Sequence, residues 1–162
     1  MIDRPARQAP LRLFLDSGVI VDGCRGRWGG AKAVLILTAS APQRYTILLA
    51  EPVELEVRRS VARIPDTTGR AQVGVAFEER LNRVKLERLP TPELAEIGRR
   101  ARFILPALRH SNDLPAVVAA VLAAPDWVLS TNTRHWTPEL GGRLGLRVAH
   151  PTEFLRSLVP ER

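Results

Sequence analysis

Short apolar runs alternate with amphipathic stretches along most of the chain. Leu11–Leu15 is an apolar run bounded by proline and glycine, and residues 45–50 and 127–130 have the same character. Such short, continuous apolar runs are typical of buried parallel strands. Between residues 51 and 64, valine and isoleucine recur at spacings of four and three, which predicts an amphipathic helix.

The remaining segments continue this alternation. Further helices are predicted over 31–40, 76–84 and 91–110, near Asp113 and at the end of the chain. Strand character returns at 84–89 and just before the last helix, whereas 65–74 is polar and predicts a loop or turn. The segment 21–30 is glycine-rich and basic and predicts a loop. Alternating strands and helices predict an α/β fold, a three-layer α/β/α sandwich with a central, mainly parallel sheet.

Length and composition fit one domain over residues 1–162, because 45% apolar residues suffice for a single core. No stretch approaches the roughly 20 apolar residues that span a bilayer. The N-terminus carries charge and proline where a signal peptide is apolar, so we expect a cytoplasmic protein. Cys24 is the only cysteine, which excludes an internal disulfide and a cysteine-based zinc cluster.

The chain is strongly basic. Its 24 lysines and arginines exceed its 17 acidic residues by seven, and nearly all of the positive charge is arginine. Arginine suits bidentate phosphate binding, and a basic surface speeds encounters with a polyanion. A bias in genomic composition explains the same excess equally well, because alanine, leucine and proline are also abundant. The charge therefore permits a nucleic-acid partner without deciding it.

Three acidic residues and one asparagine lie where a parallel sheet would gather them. Asp16 ends the first strand, and Asn132 follows the strand at 127–130. Asp113 opens a helix, and Glu56 lies in the valine-striped helix. Ligands bind beyond the carboxyl ends of parallel strands. Taken singly, however, Asp113 suits a helix cap, Glu56 a solvated carboxylate and Asn132 a turn.

Considered together, the four side chains predict a cation site. If they converge at one sheet edge, the three carboxylates repel each other unless a cation lies among them. Carboxylate and amide oxygens suit Mg²⁺ or Mn²⁺. Such ions activate a water for attack on a phosphodiester and stabilise the charge that develops on phosphate.

The same residues resemble those of the PIN-domain nucleases, a family that includes toxins of the VapBC type. Residues 13–20 are similar to the opening motif of the family, in which an apolar strand ends in a metal-binding aspartate followed by serine or threonine. This motif assigns Asp16 and Ser17. The valine-striped helix resembles the second acidic helix of the family, where Glu56 matches best and Glu54 is the alternative.

The stretch 111–136 carries the most specific part of the resemblance. Asp113 matches the aspartate that opens an alanine-rich helix in the family. The motif after the following strand is matched by Ser130, Thr131, Asn132 and Trp136. Residues 145–155 are similar to the common ending of the family. Many members have a fourth acid where this chain has Asn132, so weaker metal binding is expected.

The resemblance implies a PIN-like fold and a Mg²⁺- or Mn²⁺-dependent ribonuclease, a hydrolase that acts on RNA phosphodiester bonds. The implied catalytic residues are Asp16, Glu56, Asp113 and Asn132, the first three as metal ligands. Ser17 and Ser130 would orient water or ligands, and the implied RNA-binding residues are Arg25, Arg27 and Arg134. An antitoxin partner would exist if the protein is the toxin of a type II toxin–antitoxin pair, and homodimers are common in the family.

Two functions remain open at this point. One is the ribonuclease, and the other is a catalytically weak PIN-like module that binds RNA or a protein, with Asn132 marking lost metal affinity. A nucleotide-binding protein is disfavoured because no glycine-rich phosphate motif follows the first strand. Trp28 could stack on a base. His135 has no partner at metal-ligand spacing, and His110 is expected to cap the long helix.

Overall fold

One parallel sheet organises the molecule, for which the computed structural model describes residues 9–160. Within that range the strand order is β3-β2-β1-β4-β5, and every neighbouring pair is parallel. The strands are β1 (Leu11–Leu15), β2 (Tyr45–Ala50), β3 (Leu86–Leu89), β4 (Trp127–Leu129) and β5 (Val148–Ala149). The prediction about a signal peptide concerns residues 1–10, most of which lie outside the described range.

Helices connect the strands and cover both faces of the sheet, so the predicted three-layer α/β/α fold is confirmed. In the described part of the chain they are α1 (Ser17–Cys24), α2 (Gly30–Ser40), α3 (Glu51–Ala62), α4 (Thr67–Arg83), α5 (Leu94–Ile104), α6 (Leu114–Ala123), α7 (Pro138–Leu144) and α8 (Pro151–Ser157). Short 3₁₀ turns cover Leu105–Ala107 and Ser111–Asp113. Across residues 9–160, no helix combines the length and the apolar character that a membrane crossing needs.

The core is centred on β1 and β2, the two longest strands. Leu13 pairs with Ile47 and Phe14 with Leu48, and all four side chains are buried. The ring of Trp136 packs against Phe14 with 5.9 Å between ring centroids. The first apolar run is therefore a buried central strand, as its composition predicts.

The order of the strands creates a crevice at one edge of the sheet. From β1 the chain moves outward through β2 and β3, and then crosses to β4 and β5 on the other side of β1. In parallel α/β sheets, the carboxyl ends of strands that flank such a reversal are where ligands bind. The amide of Asp16 donates to the carbonyl of Leu129 at 3.0 Å, which joins the ends of β1 and β4 at this point.

The glycine-rich segment 21–30 is only partly a loop. Helix α1 continues to Cys24, and the turn region is confined to the residues before α2. The helix forms because Val19, Ile20 and Val21 bury their side chains under α2. At Gly23, a Cβ atom would lie 2.4 Å from the side chain of Leu35, so glycine here permits close helix packing rather than a turn.

The prediction that residues 65–74 form a loop or turn is wrong for most of that segment. Helix α4 begins at Thr67 and includes the helix expected over 76–84. Asp66 caps its first turn by accepting a hydrogen bond from the amide of Gly69 at 2.6 Å. Val73 and Phe77, four residues apart, are buried on one face. Burial of this face outweighs the low helix propensity of the glycines and threonines.

Two further differences concern the second half of the chain. Helix α5 ends at Ile104, well before residue 110, because Pro106 lacks the amide that would continue the helical hydrogen bonds. Helix α7 was not predicted. Thr137 is its N-cap, and the Thr137 hydroxyl accepts a hydrogen bond from the amide of Leu140 at 3.1 Å. Gly145, in the left-handed conformation, is its C-cap.

Adjacent glycines in α7 are expected to respond oppositely to substitution by alanine. A Cβ atom at Gly141 would lie 2.8 Å from the carbonyl oxygen of Leu146, whereas one at Gly142 meets nothing within 4 Å. We expect Gly141→Ala to lower the free energy of unfolding by about 1–3 kcal/mol. We expect Gly142→Ala to raise it by up to about 1 kcal/mol. Urea unfolding measures both, and equal values for the two variants would contradict the packing of α7 on β5.

Candidate active site

A small cavity of about 120 Å³ lies at the carboxyl edge of the sheet, and we call it the acidic cavity. Its polar lining includes Asp16, Ser17, Glu56, Asp113, Asn132 and His135. The four residues predicted to converge therefore lie around one cavity, although they come from four separate parts of the chain. β1, α3, the start of α6 and the segment after β4 each contribute one of them.

Asp16 is the N-cap of α1, directly after β1. Its Oδ1 accepts a hydrogen bond from the amide of Ser17 at 2.9 Å, and its Oδ2 accepts one from the Ser130 hydroxyl at 2.7 Å. Capping explains why a carboxylate can end a buried strand. The bond to Ser130 aims the second carboxylate oxygen across the end of the sheet.

Ser130 links the ends of β1 and β4 through its hydroxyl. The oxygen donates to Asp16 and accepts from the amide of Asn132 at 3.0 Å, and the side chain is buried. The hydroxyl is therefore fixed in direction, because its acceptor role is filled by an amide. Ser130 orients the Asp16 carboxylate. Ser17 is also buried, next to Glu56.

Burial and neighbouring negative charge raise the pKa of two carboxyl groups in the cavity, Asp16 and Glu56. Burial raises the pKa of Asp16, and the charge of Asp113 raises it further, while the hydrogen bonds from Ser130 and Ser17 lower it in part. The pKa of Glu56 is raised by desolvation and then by the charges of Asp16 and Asp113. Glu56 lies at the exposed rim of the cavity, so its desolvation is incomplete. Mutual repulsion of this kind is what a bound cation would relieve.

Asp113 contributes a buried oxygen that lacks a hydrogen bond. Its Oδ2 accepts none from any residue in the described range 9–160, although the Nδ1 atom of His135 lies 3.0 Å away. A buried, unsatisfied carboxylate oxygen is costly and calls for a specific explanation. The helix predicted to start near Asp113 is confirmed, since Asp113 is the N-cap of α6.

Asn132 holds a tight turn beside the cavity. Its Oδ1 accepts from the amide of Arg134 at 3.2 Å, and its carbonyl oxygen accepts from the amides of His135 and Trp136. Both interpretations of this residue from the sequence therefore apply, since it is a turn asparagine and it lines the cavity. Through the turn it positions the His135 ring next to Asp113.

His135 is a component of the cavity that the sequence did not indicate. Its ring contacts Asp113 through Nδ1 and lies 4.7 Å from the ring of His110, measured between centroids. The expectation that His110 caps the long helix is wrong, because α5 ends at Ile104. No motif pairs Asp113 with His135, which lies 22 residues further along the chain. Only the turn after β4 brings them together.

The alternative acid Glu54 lies elsewhere. Its carboxylate forms ion pairs with Arg58, at 3.0 Å, and with Arg88, and it does not line the cavity. Residues 54 and 56 are two positions apart on a helix, about 200° around its axis, so they cannot share a face. Of the two candidates in α3, the structure brings Glu56 to the site.

The predicted RNA-binding arginines are all exposed. Arg25 and Arg27 lie in the loop between α1 and α2 and line a second cavity with Thr131, next to Asn132 in the chain. Arg134 lies in the turn that Asn132 holds. Their role in RNA binding stays a prediction.

The donor set fits a divalent cation in its chemistry but is not preassembled. Asp16, Glu56 and Asp113 supply only oxygen ligands, which Mg²⁺ and Mn²⁺ prefer. The buried Oδ2 of Asp113, which accepts no hydrogen bond from residues 9–160, is consistent with such an ion. Among residues 9–160, however, no group of three or more His, Cys, Asp or Glu side chains is placed as a complete metal site. Ion binding would therefore require side-chain rotation, for which the exposed Glu56 has room.

The chain is similar in its fold to several solved structures. No protein-family model matches the chain, and no curated protein matches it. Among solved structures, VapBC2 from Rickettsia felis, bound to a DNA fragment from their promoter, is 17% identical with a TM-score of 0.62. That alignment covers 86% of this chain and 98% of the other. The protein has a PIN-like fold.

Two other structures support the PIN-like fold. FitAcB from Neisseria gonorrhoeae is 16% identical over 86% of this chain and 98% of its own, with a TM-score of 0.60. PAE2754 from Pyrobaculum aerophilum is 13% identical over 96% of both chains, with a TM-score of 0.59. At these identities the likeness establishes the fold alone. The chemistry follows from the side chains that line the acidic cavity.

The raised pKa of Asp16 predicts how stability depends on pH without metal ions. Folded protein holds the proton more tightly than unfolded protein, so Asp16 lowers the free energy of unfolding as pH rises above the ordinary value of about 4. The loss is complete once pH exceeds the folded-state pKa. We therefore expect the stability of Asp16→Asn, relative to wild type, to increase over this window. Urea unfolding in EDTA at several pH values measures it, and a pH-independent difference would contradict the raised pKa.

Proposed function

We propose that the protein is a divalent-metal-dependent ribonuclease. One observation carries the proposal, namely the cavity at the carboxyl edge of the sheet, which Asp16, Glu56 and Asp113 line together. There, Oδ2 of Asp113 is buried and accepts no hydrogen bond from residues 9–160. The PIN-like fold supports it, as does the resemblance of residues 13–20 and 111–136 to the motifs of PIN-domain nucleases.

The residues of the cavity have distinct roles in this proposal. Asp16, Glu56 and Asp113 would hold Mg²⁺ or Mn²⁺, which supplies positive charge to the reacting phosphate and lowers the pKa of a water molecule. Ser130 and the amide of Ser17 keep the Asp16 carboxylate in one orientation through their hydrogen bonds. His135 contacts Oδ2 of Asp113 through its Nδ1 atom and helps to fix the position of that carboxylate.

The basic surface provides the complementary interaction with RNA. Arg25, Arg27 and Arg134 are exposed near the cavity, and we propose that they bind phosphates of the RNA backbone. The excess of seven positive charges strengthens attraction over a longer range. Affinity for RNA should therefore fall with increasing salt concentration.

We also propose a protein partner. The chain resembles toxins of the VapBC type, and VapBC2 is among its structural neighbours. An antitoxin would cover the acidic cavity, and its gene would encode a small DNA-binding protein immediately upstream. Coexpression of the two genes should yield a complex that does not cleave RNA. The protein itself would pair as a homodimer, as is common in the family.

A second candidate function is a PIN-like module that binds RNA or a protein without efficient catalysis. One observation favours it, since residues 9–160 contain no complete set of metal ligands and Asn132 is uncharged. The two candidates differ in whether metal binding produces cleavage.

Cleavage of a labelled RNA pool separates the two candidates. Purified protein is incubated with the pool in Mn²⁺, in Mg²⁺ and in EDTA, and its Mn²⁺ affinity is measured from the shift in Tm. The ribonuclease proposal expects cleavage in at least one ion, none in EDTA and a raised Tm with Mn²⁺. Folded protein that neither binds Mn²⁺ nor cleaves the pool would contradict it and favour the binding module.

A further inference from the structure

A second, larger cavity lies beside the candidate active site. It has a volume of about 650 Å³ and is built mainly from the loop between α1 and α2. We call it the Trp28 surface and define it by Asp22, Arg25, Arg27, Trp28, Lys32 and Thr131. Its composition differs sharply from that of the acidic cavity, because three of its six residues are basic and one is acidic.

Trp28 is exposed to an unusual degree for its size. Its side chain is 75% accessible, whereas Trp136 is 4% accessible and packs in the core. The ammonium group of Lys32 lies 5.6 Å from the ring centroid of Trp28, a cation–π distance that holds the ring against α2. The large indole surface is therefore presented to solvent in a supported position. An aromatic face in this position is available for stacking on a planar ligand group.

The charge around Trp28 selects the class of partner. Arg25, Arg27 and Lys32 line the same cavity as Trp28, and Asp22 is the one carboxylate in the Trp28 surface. Basic side chains beside an accessible aromatic face are the combination by which proteins bind single-stranded nucleic acid. The cations contact the backbone, and the ring stacks on a base. A paired base in a duplex is already stacked and cannot reach the ring.

The Trp28 surface adjoins the acidic cavity. Gly18 lines the acidic cavity, and Thr131 lines the Trp28 surface. The two residues touch, since a Cβ atom at Gly18 would lie 2.5 Å from the Thr131 hydroxyl. Thr131 is also the neighbour of Asn132. Gly18 and Thr131 therefore lie at the boundary between the two cavities.

We infer that the Trp28 surface binds an unpaired nucleotide of RNA adjacent to the phosphate held at the acidic cavity. The base stacks on Trp28, and Arg25 and Lys32 bind the phosphates on either side. This inference rests on the proposed function for the identity of the neighbouring phosphate. It assigns the substrate class as RNA that is single-stranded on one side of the cleavage position.

Binding of uncleaved RNA tests the inference separately from catalysis. Short single-stranded and double-stranded RNA oligonucleotides with a fluorescent label are titrated with the protein in EDTA. Trp28→Ala is expected to weaken single-strand binding on the order of tenfold to a hundredfold. Trp28→Phe should retain most of the affinity, because the ring still stacks. Duplex binding should be the same in all variants.

A matched control and a spectroscopic signal sharpen the test. Leu94 is 86% exposed on α5, outside the Trp28 surface, so Leu94→Ala removes exposed apolar area without touching the site. It should bind RNA like the wild type.

Stacking of a base on Trp28 should also quench tryptophan fluorescence in the wild type, and this quenching should disappear in Trp28→Phe.

Each outcome bears on the inference. If Trp28→Ala binds single-stranded RNA as tightly as wild type, the inference is overturned even when the wild type cleaves RNA. If the same variant loses only its binding to the product of the upstream gene, the surface is a protein interface and the inference is again overturned. Weaker binding by Trp28→Ala in a protein that never cleaves RNA supports the nucleotide site and contradicts the proposed catalysis alone.

Discussion

Replacing Asp16 by asparagine is expected to abolish metal-dependent RNA cleavage without unfolding the protein. Asparagine has the same size and keeps an oxygen that accepts the hydrogen bond from the Ser17 amide. It removes the charge at the point where the ends of β1 and β4 meet. Loss of a charged metal ligand should reduce the rate on the order of 10³-fold or more, because a catalytic ion supplies several kcal/mol of stabilisation.

The measurement compares initial cleavage rates in Mn²⁺ and unfolding in EDTA. Asp66→Asn is the matched control, since Asp66 is also the N-cap of a helix and accepts a hydrogen bond from an amide, but lies outside the acidic cavity. It should cleave like the wild type. Asp16→Asn should remain folded and, near neutral pH, be more stable than the wild type, because it removes a buried charge. Retained cleavage in Asp16→Asn would exclude a role for the acidic cavity.

Replacing Glu56 by glutamine is expected to reduce cleavage about a hundredfold or more, whereas the same change at Glu54 should leave it unchanged. The two residues have the same chemistry and lie in one turn of α3. Glu56 lines the acidic cavity, where the charges of Asp16 and Asp113 raise its pKa. Glu54 is occupied by Arg58 and Arg88 on another face.

The free energy of unfolding should also separate the two glutamates, since only the substitution of Glu54 is expected to lower it. Glu54→Gln breaks surface ion pairs and should cost at most about 1 kcal/mol of unfolding free energy. Glu56→Gln removes a repelled carboxylate and should not destabilise the protein in EDTA. The affinity for Mn²⁺, measured from the Tm shift, should fall only in Glu56→Gln. If Glu54→Gln were the inactive variant, the orientation of α3 would be wrong.

Strongly patterned segments could be predicted without the structure. The apolar run Leu11–Leu15 and the valine stripe of α3 signal their conformations through their nearest neighbours. Helix α4 could not be predicted in this way, because its glycines and threonines favour a loop locally. Burial of Val73 and Phe77 against neighbouring helices overrides that preference, and burial is a property of the assembled fold.

The sequence could predict those residues of the candidate site that lie next to the ends of strands and helices. Asp16 and Asp113 each precede a helix and Asn132 follows a strand, and such positions can be located from the pattern and from motif resemblance. Glu56 was harder, because Glu54 is chemically equivalent and only the rotation of α3 separates them. His135 could not be found, because its relation to Asp113 depends on a turn held by Asn132.

Local sequence patterns specify the alternation of strands and helices and the carboxylates at their ends. These features depend on side chains within a few positions of each other, which hydrophobic spacing and capping preferences record. Tertiary packing, in contrast, sets the strand order, the exclusion of Glu54 from the acidic cavity, the contact of His135 with Asp113 and the closeness of the acidic cavity to the Trp28 surface. Each of these depends on long-range packing and on the direction of side chains, which no local pattern encodes.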